Sequence, residues 1–328
     1  MKPRHSRRRT VAFTAALLLC AGAPLALGQA YPARGIRLVV PFPAGGSTDA
    51  AGRIWAESVS PALGQPVVVV NRLGAAGSVG MDEVAKAPAD GHTLGVAGVG
   101  PLVTLELVGR TMPYLPSRDL LPVAYLGSLG LVIAVRSDLN VRTLAELLAL
   151  ARAQPGKLSF GTSGVGSPGH LALEYLKSLT DTFMVHIPYR GDSPLVTDLT
   201  SEGIDMAVLT LTAALPQARD PSVRLIAVTS RQRAEQLPQV PTVAESGLAG
   251  YEAEIWNVLV APAGTPDAVV QRLNAATNAA LSEAGVRRQL AARGLVAAPM
   301  PVNEVARFVR KEREKWAAVV KRVGLRMG

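Results

Sequence analysis

Aliphatic and β-branched runs alternate along this chain with stretches whose apolar positions recur at helical spacing. Residues 36–42 (Ile-Arg-Leu-Val-Val-Pro-Phe) predict a buried strand, and residues 49–59 predict a helix after the loop 43–48. Strands at 67–70 and 92–97 then flank a short helix at 81–87. A second series begins near Pro122, with strands at 131–135, 158–161, 184–188, 206–209 and 224–229 and helices at 143–153, 168–179 and 194–200. Thr143 followed by Glu146 forms a capping box, which marks that helix start from local chemistry alone. Beyond Pro238 the chain is turn-rich, passes a short strand at 257–261, and ends in three amphipathic helices beginning near Pro266, Ala284 and Val302.

This alternation predicts an α/β fold with parallel sheets covered on both faces. Too few strands follow residue 250 for the last helices to form a domain, so they are expected to cover the first sheet. The chain would then cross between two lobes twice, near 124–130 and 228–240. The expected division is residues 31–126 with 236–328 in one lobe and 127–235 in the other.

Residues 1–30 change how charge and cysteine are read. Lys2, Arg4, Arg7, Arg8 and Arg9 precede an apolar run at 11–27, the layout of a secretory signal peptide, with small residues suited to cleavage after Gly28 or, preferably, Ala30. The run is shorter than the ~20 residues of a spanning helix. The paired arginines leave both general and twin-arginine export open. The whole chain carries a net charge of +9, and removing these five basic residues leaves an ordinary surface without basic runs, which withdraws support for nucleic-acid binding. The single cysteine, Cys20, falls within the discarded run, so neither disulfide nor thiol chemistry is expected in a monomeric, exported product.

Two loops share one construction: a strand, a Gly/Ser/Thr turn, and a helix whose first N–H groups lack internal partners. The first contains Gly45, Gly46, Ser47, Thr48 and Asp49, with Ser47 or Thr48 as expected N-cap; the second runs over 161–169, with Ser167 as N-cap and Pro168 at the first helical position. Each is an anion site in waiting, because free N–H groups and the helix dipole favour a carboxylate. Ordinary βα turns would have the same caps. Gly164, Gly166 and Gly169 also match the GxGxxG dinucleotide spacing, but the acid expected ~20 residues later is absent and Arg190 stands there instead. None of Ser47, Ser78, Ser163 and Ser167 has the GxSxG setting of a hydrolase nucleophile, and His92, His170 and His186 lack metal-ligand spacing. No metal, cofactor or enzymatic activity is expected. Tyr189, Arg190 and Gly191 end a predicted strand, where ligands of open α/β sheets gather, and Arg190 could clamp a carboxylate; Asp205, before the strand at 206–209, is a weaker candidate.

The chain resembles the substrate-binding receptors of tripartite tricarboxylate transporters, also called Bug receptors. The resemblance rests on Pro41-Phe-Pro-Ala-Gly-Gly-Ser-Thr-Asp49, Leu63-Gly-Gln-Pro66, Gly74-Ala-Ala-Gly77, Ala89-Asp-Gly91, the loop 161–171, Pro188-Tyr-Arg-Gly191, residues 238–247, Trp256 and residues 261–266, in this order. It implies a type II-like periplasmic binding protein whose two lobes close on a small carboxylate, such as an amino acid, a di- or tricarboxylate or an aromatic acid. One carboxylate would be held by main chain and waters at the first loop. That role falls on Phe42, Ala44, Gly45, Gly46, Ser47, Thr48 and Asp49, and the facing wall on Thr162, Ser163, Gly166, Ser167, His170, Tyr189 and Gly191. Residues 100–103 lack the Asn-Pro common in the family, and Arg190 replaces the more usual Lys, both of which bear on ligand identity. The implied partners are a small organic carboxylate and the membrane permease of a tripartite transporter. A sensor feeding a membrane signalling partner, or an exported enzyme, are the alternatives.

Overall fold

A computed structural model of the chain describes residues 31–325; the expected signal segment and Cys20 lie outside the described residues. The first sheet has the order β2-β1-β3-β9-β4, from β1 (Ile36–Val40), β2 (Val67–Asn71), β3 (Thr93–Gly98), β4 (Leu120–Arg136) and β9 (Glu254–Pro262). The second uses the far end of β4, flanked by β7 (Met206–Thr210) and β8 (Val223–Val228), and continues through β5 (Ser159–Thr162) to β6 (Val185–Pro188). β1, β2 and β3 pair in parallel, as do β5, β6 and β7, but every contact of β4 is antiparallel and so is β3 with β9. The sheets are therefore mixed, a correction to the parallel expectation.

The strand expected at 131–135 is the far half of one 17-residue strand. Its first part, Leu120 to Gly130, pairs with β9, and its second part, Leu131 to Arg136, pairs with β7 and β8. Gly127, Gly130 and Pro122 suggest a break in the sequence, but they are accommodated by register shifts next to Pro122 and Gly127. The two lobes thus share a strand. A second passage lies beside it: the Thr229 hydroxyl accepts from Leu131 N (2.8 Å) and donates to Ala253 O (2.6 Å), while Ala253 N donates back to Thr229 O (2.9 Å). Thr229 is fully buried, so this cross-link is protected from water.

The helices are α1 (Ser47–Leu63), α2 (Ser78–Ala85), α3 (Leu144–Ala153), α4 (Pro168–Thr180), α5 (Asp192–Thr200), α6 (Leu211–Gln217), α7 (Asp267–Ser282), α8 (Ala284–Ala291) and α9 (Val302–Val323), beside shorter turns. Thr143 caps α3 as expected, accepting from Glu146 N, while the Glu146 carboxylate reaches back one residue further than a capping box requires and accepts from Arg142 N. α7 packs with α1 on the first sheet around Trp55, Leu273 and Leu259. α9 does more than cover that sheet, for it also packs on α4 of the second lobe. Its buried Glu312 accepts the indole N–H of both Trp256 (2.8 Å) and Trp316 (3.1 Å), and Trp316 meets Tyr175 of α4 edge-on. No described helix is long and apolar enough to cross a membrane.

Candidate functional site

Five strand ends converge on one cavity of about 640 Å³: those of β1, β3, β5, β7 and the start of β9. The parallel strands point their carboxyl ends at it, the usual address of a ligand in an open α/β sheet. Its size suits a small organic solute.

The first wall is the loop from β1 into α1. Gly46, not Ser47 or Thr48, is the N-cap, and no side chain caps it directly. The reason is Asp49. Its buried carboxylate reaches back to accept Gly45 N (2.9 Å) and Arg53 Nε (2.8 Å) on one oxygen and Asn71 Nδ2 (2.8 Å) on the other. Asn71 also donates to Phe42 O (2.9 Å), so β2, the loop and α1 are tied through one anion. Burial by itself would raise the Asp49 pKa; the bonds from Arg53, Asn71 and Gly45 outweigh it and hold the carboxyl below its ordinary range. Gly45 has φ of 86°, a left-handed turn that glycine adopts without strain, and Gly46 N closes it on Pro43 O (3.4 Å). The N–H groups of Ser47 and Thr48 have no intrahelical acceptor. Ala76 (φ 55°) lines the cavity and Ala75 (φ 48°) precedes it, both in left-handed conformations that cost an alanine on the order of 1 kcal/mol each.

The second wall is the loop from β5 into α4. Ser167 caps α4 by accepting His170 N (3.3 Å), and Pro168 begins the helix. The Thr162 hydroxyl binds Gly164 O (3.1 Å) and pairs with His186 Nε2 (2.7 Å), while Gly166 N donates to His170 Nδ1 (3.0 Å). Gly169 lets α4 approach β7 closely, because a Cβ there would lie 3.2 Å from Val208 O. Ser163, Gly164, Val165, Gly166 and Ser167 all line the cavity opposite Gly45, Gly46, Ser47 and Thr48.

A model of the tripartite tricarboxylate transporter family receptor matches residues 51–325. The chain belongs to this family. It is 39% identical over 315 residues to a UPF0065 protein of Pseudomonas sp. (strain P51), covering 96% of this chain and 94% of the relative. It is 36% identical to the protein BugT of Bordetella pertussis, covering 90% and 91%. Among solved structures, an adipate-bound protein of R. palustris is 35% identical with TM-score 0.79 (90% and 99% covered), and the malate-bound MatC of Rhodopseudomonas palustris is 30% identical with TM-score 0.73 (88% and 100% covered). The family is one of periplasmic solute-binding receptors and not of enzymes.

The receptor's expected site residues divide into those that line the cavity and those that stand behind it. Phe42, Gly45, Gly46, Ser47, Thr48, Ser163, Gly166 and Ser167 line it. Asp49, Thr162 and His170 are buried behind the loops and shape them. Ala44 is exposed. The Tyr189 hydroxyl donates to Asp198 (2.6 Å), and burial together with that carboxylate pushes its pKa up to about 12, so it is occupied within the second lobe. Arg190 is exposed and makes no ion pair among the described residues, and Gly191 (φ 105°) caps α5. Asp205 stands at the opposite end of β7 from the cavity, where it binds Arg136 (2.9 Å) and Ser159 N (2.7 Å) and clamps β4, β5 and β7 together. It therefore does not line the cavity.

Arg110, Asp192, Thr210, Thr212 and Ile255 also line the cavity and were not anticipated. Thr210 caps α6 by accepting Ala213 N (3.3 Å), and Asp192 opens α5. Capping patterns could have found the elements, but only the packing of the strands shows that their first residues meet in one place. Among the described residues, no group of three or more His, Cys, Asp or Glu side chains is arranged to hold a metal ion.

His170 and His186 stack at 3.8 Å beneath the second loop, against Phe160. Burial lowers both pKa values to about 4, His170 further through Lys177 and His186 through His170. Because Gly166 N donates to His170 Nδ1, the proton sits on Nε2 and protonation of Nδ1 would break the loop's bond. Between pH 6.5 and 4 the unfolded chain takes up protons that the folded chain refuses, so stability is retained above pH 6.5 and falls as pH drops toward 4. The loss for His170 is on the order of 3 kcal/mol. Urea melts at pH 7.0, 5.5 and 4.5 should show this slope, and His170→Asn, which keeps an acceptor for Gly166 N, should flatten it; parallel slopes would assign the acid loss elsewhere.

Proposed function

We propose that this chain is an exported receptor that captures a small carboxylate-bearing solute between its lobes and delivers it to a membrane permease. The observation that carries this reading is the facing of two helix N-termini across one cavity. The first presents the N–H groups of Ser47 and Thr48 without internal acceptors; at the second, Gly166 N, Ser167 N and His170 N are bonded within the loop, so Ser163 and Ser167 offer side-chain hydroxyls instead. Each is fixed by its own buried polar network, around Asp49 on one side and Thr162 with His170 on the other. Preorganised donors of this kind bind an anion without reorganising. The lobes we assign to residues 31–126 with 236–328 and to 127–235, with closure about the paired passages at Leu131, Thr229 and Ala253. Export would follow cleavage of the signal segment near Ala30, and the acid would be delivered unchanged, as befits a family of solute receptors.

A thermal-shift screen against amino acids, di- and tricarboxylates and aromatic acids tests the reading. Ligand at about 100 times its Kd should add roughly 2.7 kcal/mol, a rise of several degrees. Gly46→Leu keeps an allowed backbone, since Gly46 is extended (φ −71°, ψ 167°) and a Cβ there meets only Pro43 O at 3.4 Å, but its side chain would occupy the first wall and should abolish the shift. A panel without any stabilising acid would overturn the carboxylate reading.

A further inference from the structure

Arg110 and Asp192 are the only ionisable side chains in the cavity wall among the described residues. They come from different lobes: Arg110 follows the turn after β3, and Asp192 begins α5. They do not pair with each other, and neither has an ion-pair partner elsewhere among the described residues. Asp192 Oδ2 accepts the Thr210 hydroxyl at 2.6 Å, which orients the carboxylate and leaves Oδ1 free. Phe42, Val99, Leu105 and Ile255 add apolar surface to the same wall.

An anion here conflicts with a ligand that is anionic at both ends, because two carboxylates sharing a partly desolvated site repel. We propose that Asp192 is a specificity-determining residue that accepts an ammonium group, so that the cleft takes an aminocarboxylate in preference to a dicarboxylate. This rests on the receptor reading above. The ligand carboxylate goes to the N–H groups of the first loop and to Arg110, and its ammonium to Asp192 Oδ1. Asp192 also favours the N-terminus of its own helix, but a solvent-facing aspartate would serve that purpose equally. What the helix does not explain is a charge held by Thr210 in the wall of the cavity.

The test is calorimetric titration of the purified protein with acids differing by one ammonium: L-aspartate against succinate, L-glutamate against glutarate, and 6-aminohexanoate against adipate. In at least one pair the amino acid should bind at least tenfold more tightly, and Asp192→Asn, which keeps an oxygen for Thr210, should bring that pair within about threefold. Tighter binding of the dicarboxylate in every pair, or a preference that survives in Asp192→Asn, overturns the proposal while leaving the receptor reading intact. If none of the six acids binds, the proposal falls, and the wider acid panel decides whether the receptor reading falls with it. The comparison within wild type holds even if the variant fails to fold.

Discussion

Replacing Asp49 by alanine should cost about 2–4 kcal/mol of stability and weaken carboxylate binding at least tenfold. The buried carboxylate is the acceptor for Gly45 N, Arg53 and Asn71 at 2.8–2.9 Å, so its removal strands three donors at once. Leaving a buried donor unsatisfied costs about 1–3 kcal/mol. Arg53 is half exposed and can return to water, which keeps the total below the sum. The binding loss follows from geometry: without its anchor at Gly45 the loop must be ordered by the ligand, and that ordering is taken from affinity. Asp49→Asn separates shape from charge, since it retains one acceptor but turns an amide NH2 either on Gly45 and Arg53 together or on Asn71. The pH dependence has a definite sign. With its folded pKa below the ordinary value, Asp49 stabilises the protein above the unfolded carboxylate pKa, and this is lost as pH falls through its own lowered value. Urea melts at pH 7 with titration of whichever acid the screen identifies would check both effects. A stability change under about 0.5 kcal/mol with unaltered affinity would mean that the loop holds its shape without Asp49.

Gly161→Val is expected to lower stability by about 3 kcal/mol, through overpacking rather than loss of a bond. A Cβ at Gly161 would lie 2.2 Å from Leu195 Cδ1, 2.7 Å from Ile204 Cδ1 and 3.0 Å from the Tyr189 ring. All three belong to the layer that seats α5 against β5, and Leu195 is fully buried, so it has nowhere to retreat without moving the helix. Because Asp192 and Gly191 open that helix, the second wall of the cavity should shift with it. Calorimetry should show a melting temperature lower by roughly 5–10 °C. Hydrogen exchange should show protection lost in β5, β6 and α5 and kept in β1 to β3. Melting within 2 °C of wild type would show that Leu195 and Ile204 rearrange at little cost.

Several parts of this receptor are written in local sequence. The Thr143–Glu146 capping box, Ser167 with Pro168 at the start of α4, and the starts of the three terminal helices depend on contacts within a few residues, and they stand where the pattern places them. The two Gly-rich loops are equally local, since a turn with positive φ before a helix requires particular residues. Other features depend on partners far along the chain. That β4 is one strand serving two sheets is decided by β9 from more than a hundred residues away, and a Pro and two Gly in sequence argue against it. The antiparallel placement of β9 beside β3 leaves no local mark, because both directions bury the same residues. The same division runs through the site. His170 and Asp49 have the residue types of ligand contacts, yet the fold buries both behind the loops they shape, and Asp205 is drawn to Arg136 at the far end of its strand. Arg110 and Asp192, in contrast, look like ordinary surface charges in sequence. The amino-acid sequence alone determined the α/β pattern and the two anion-ready loops, because backbone dihedrals and helix caps are set by neighbours. Which charges face the ligand was left to tertiary structure, because strand order and register decide which side chains share a cavity.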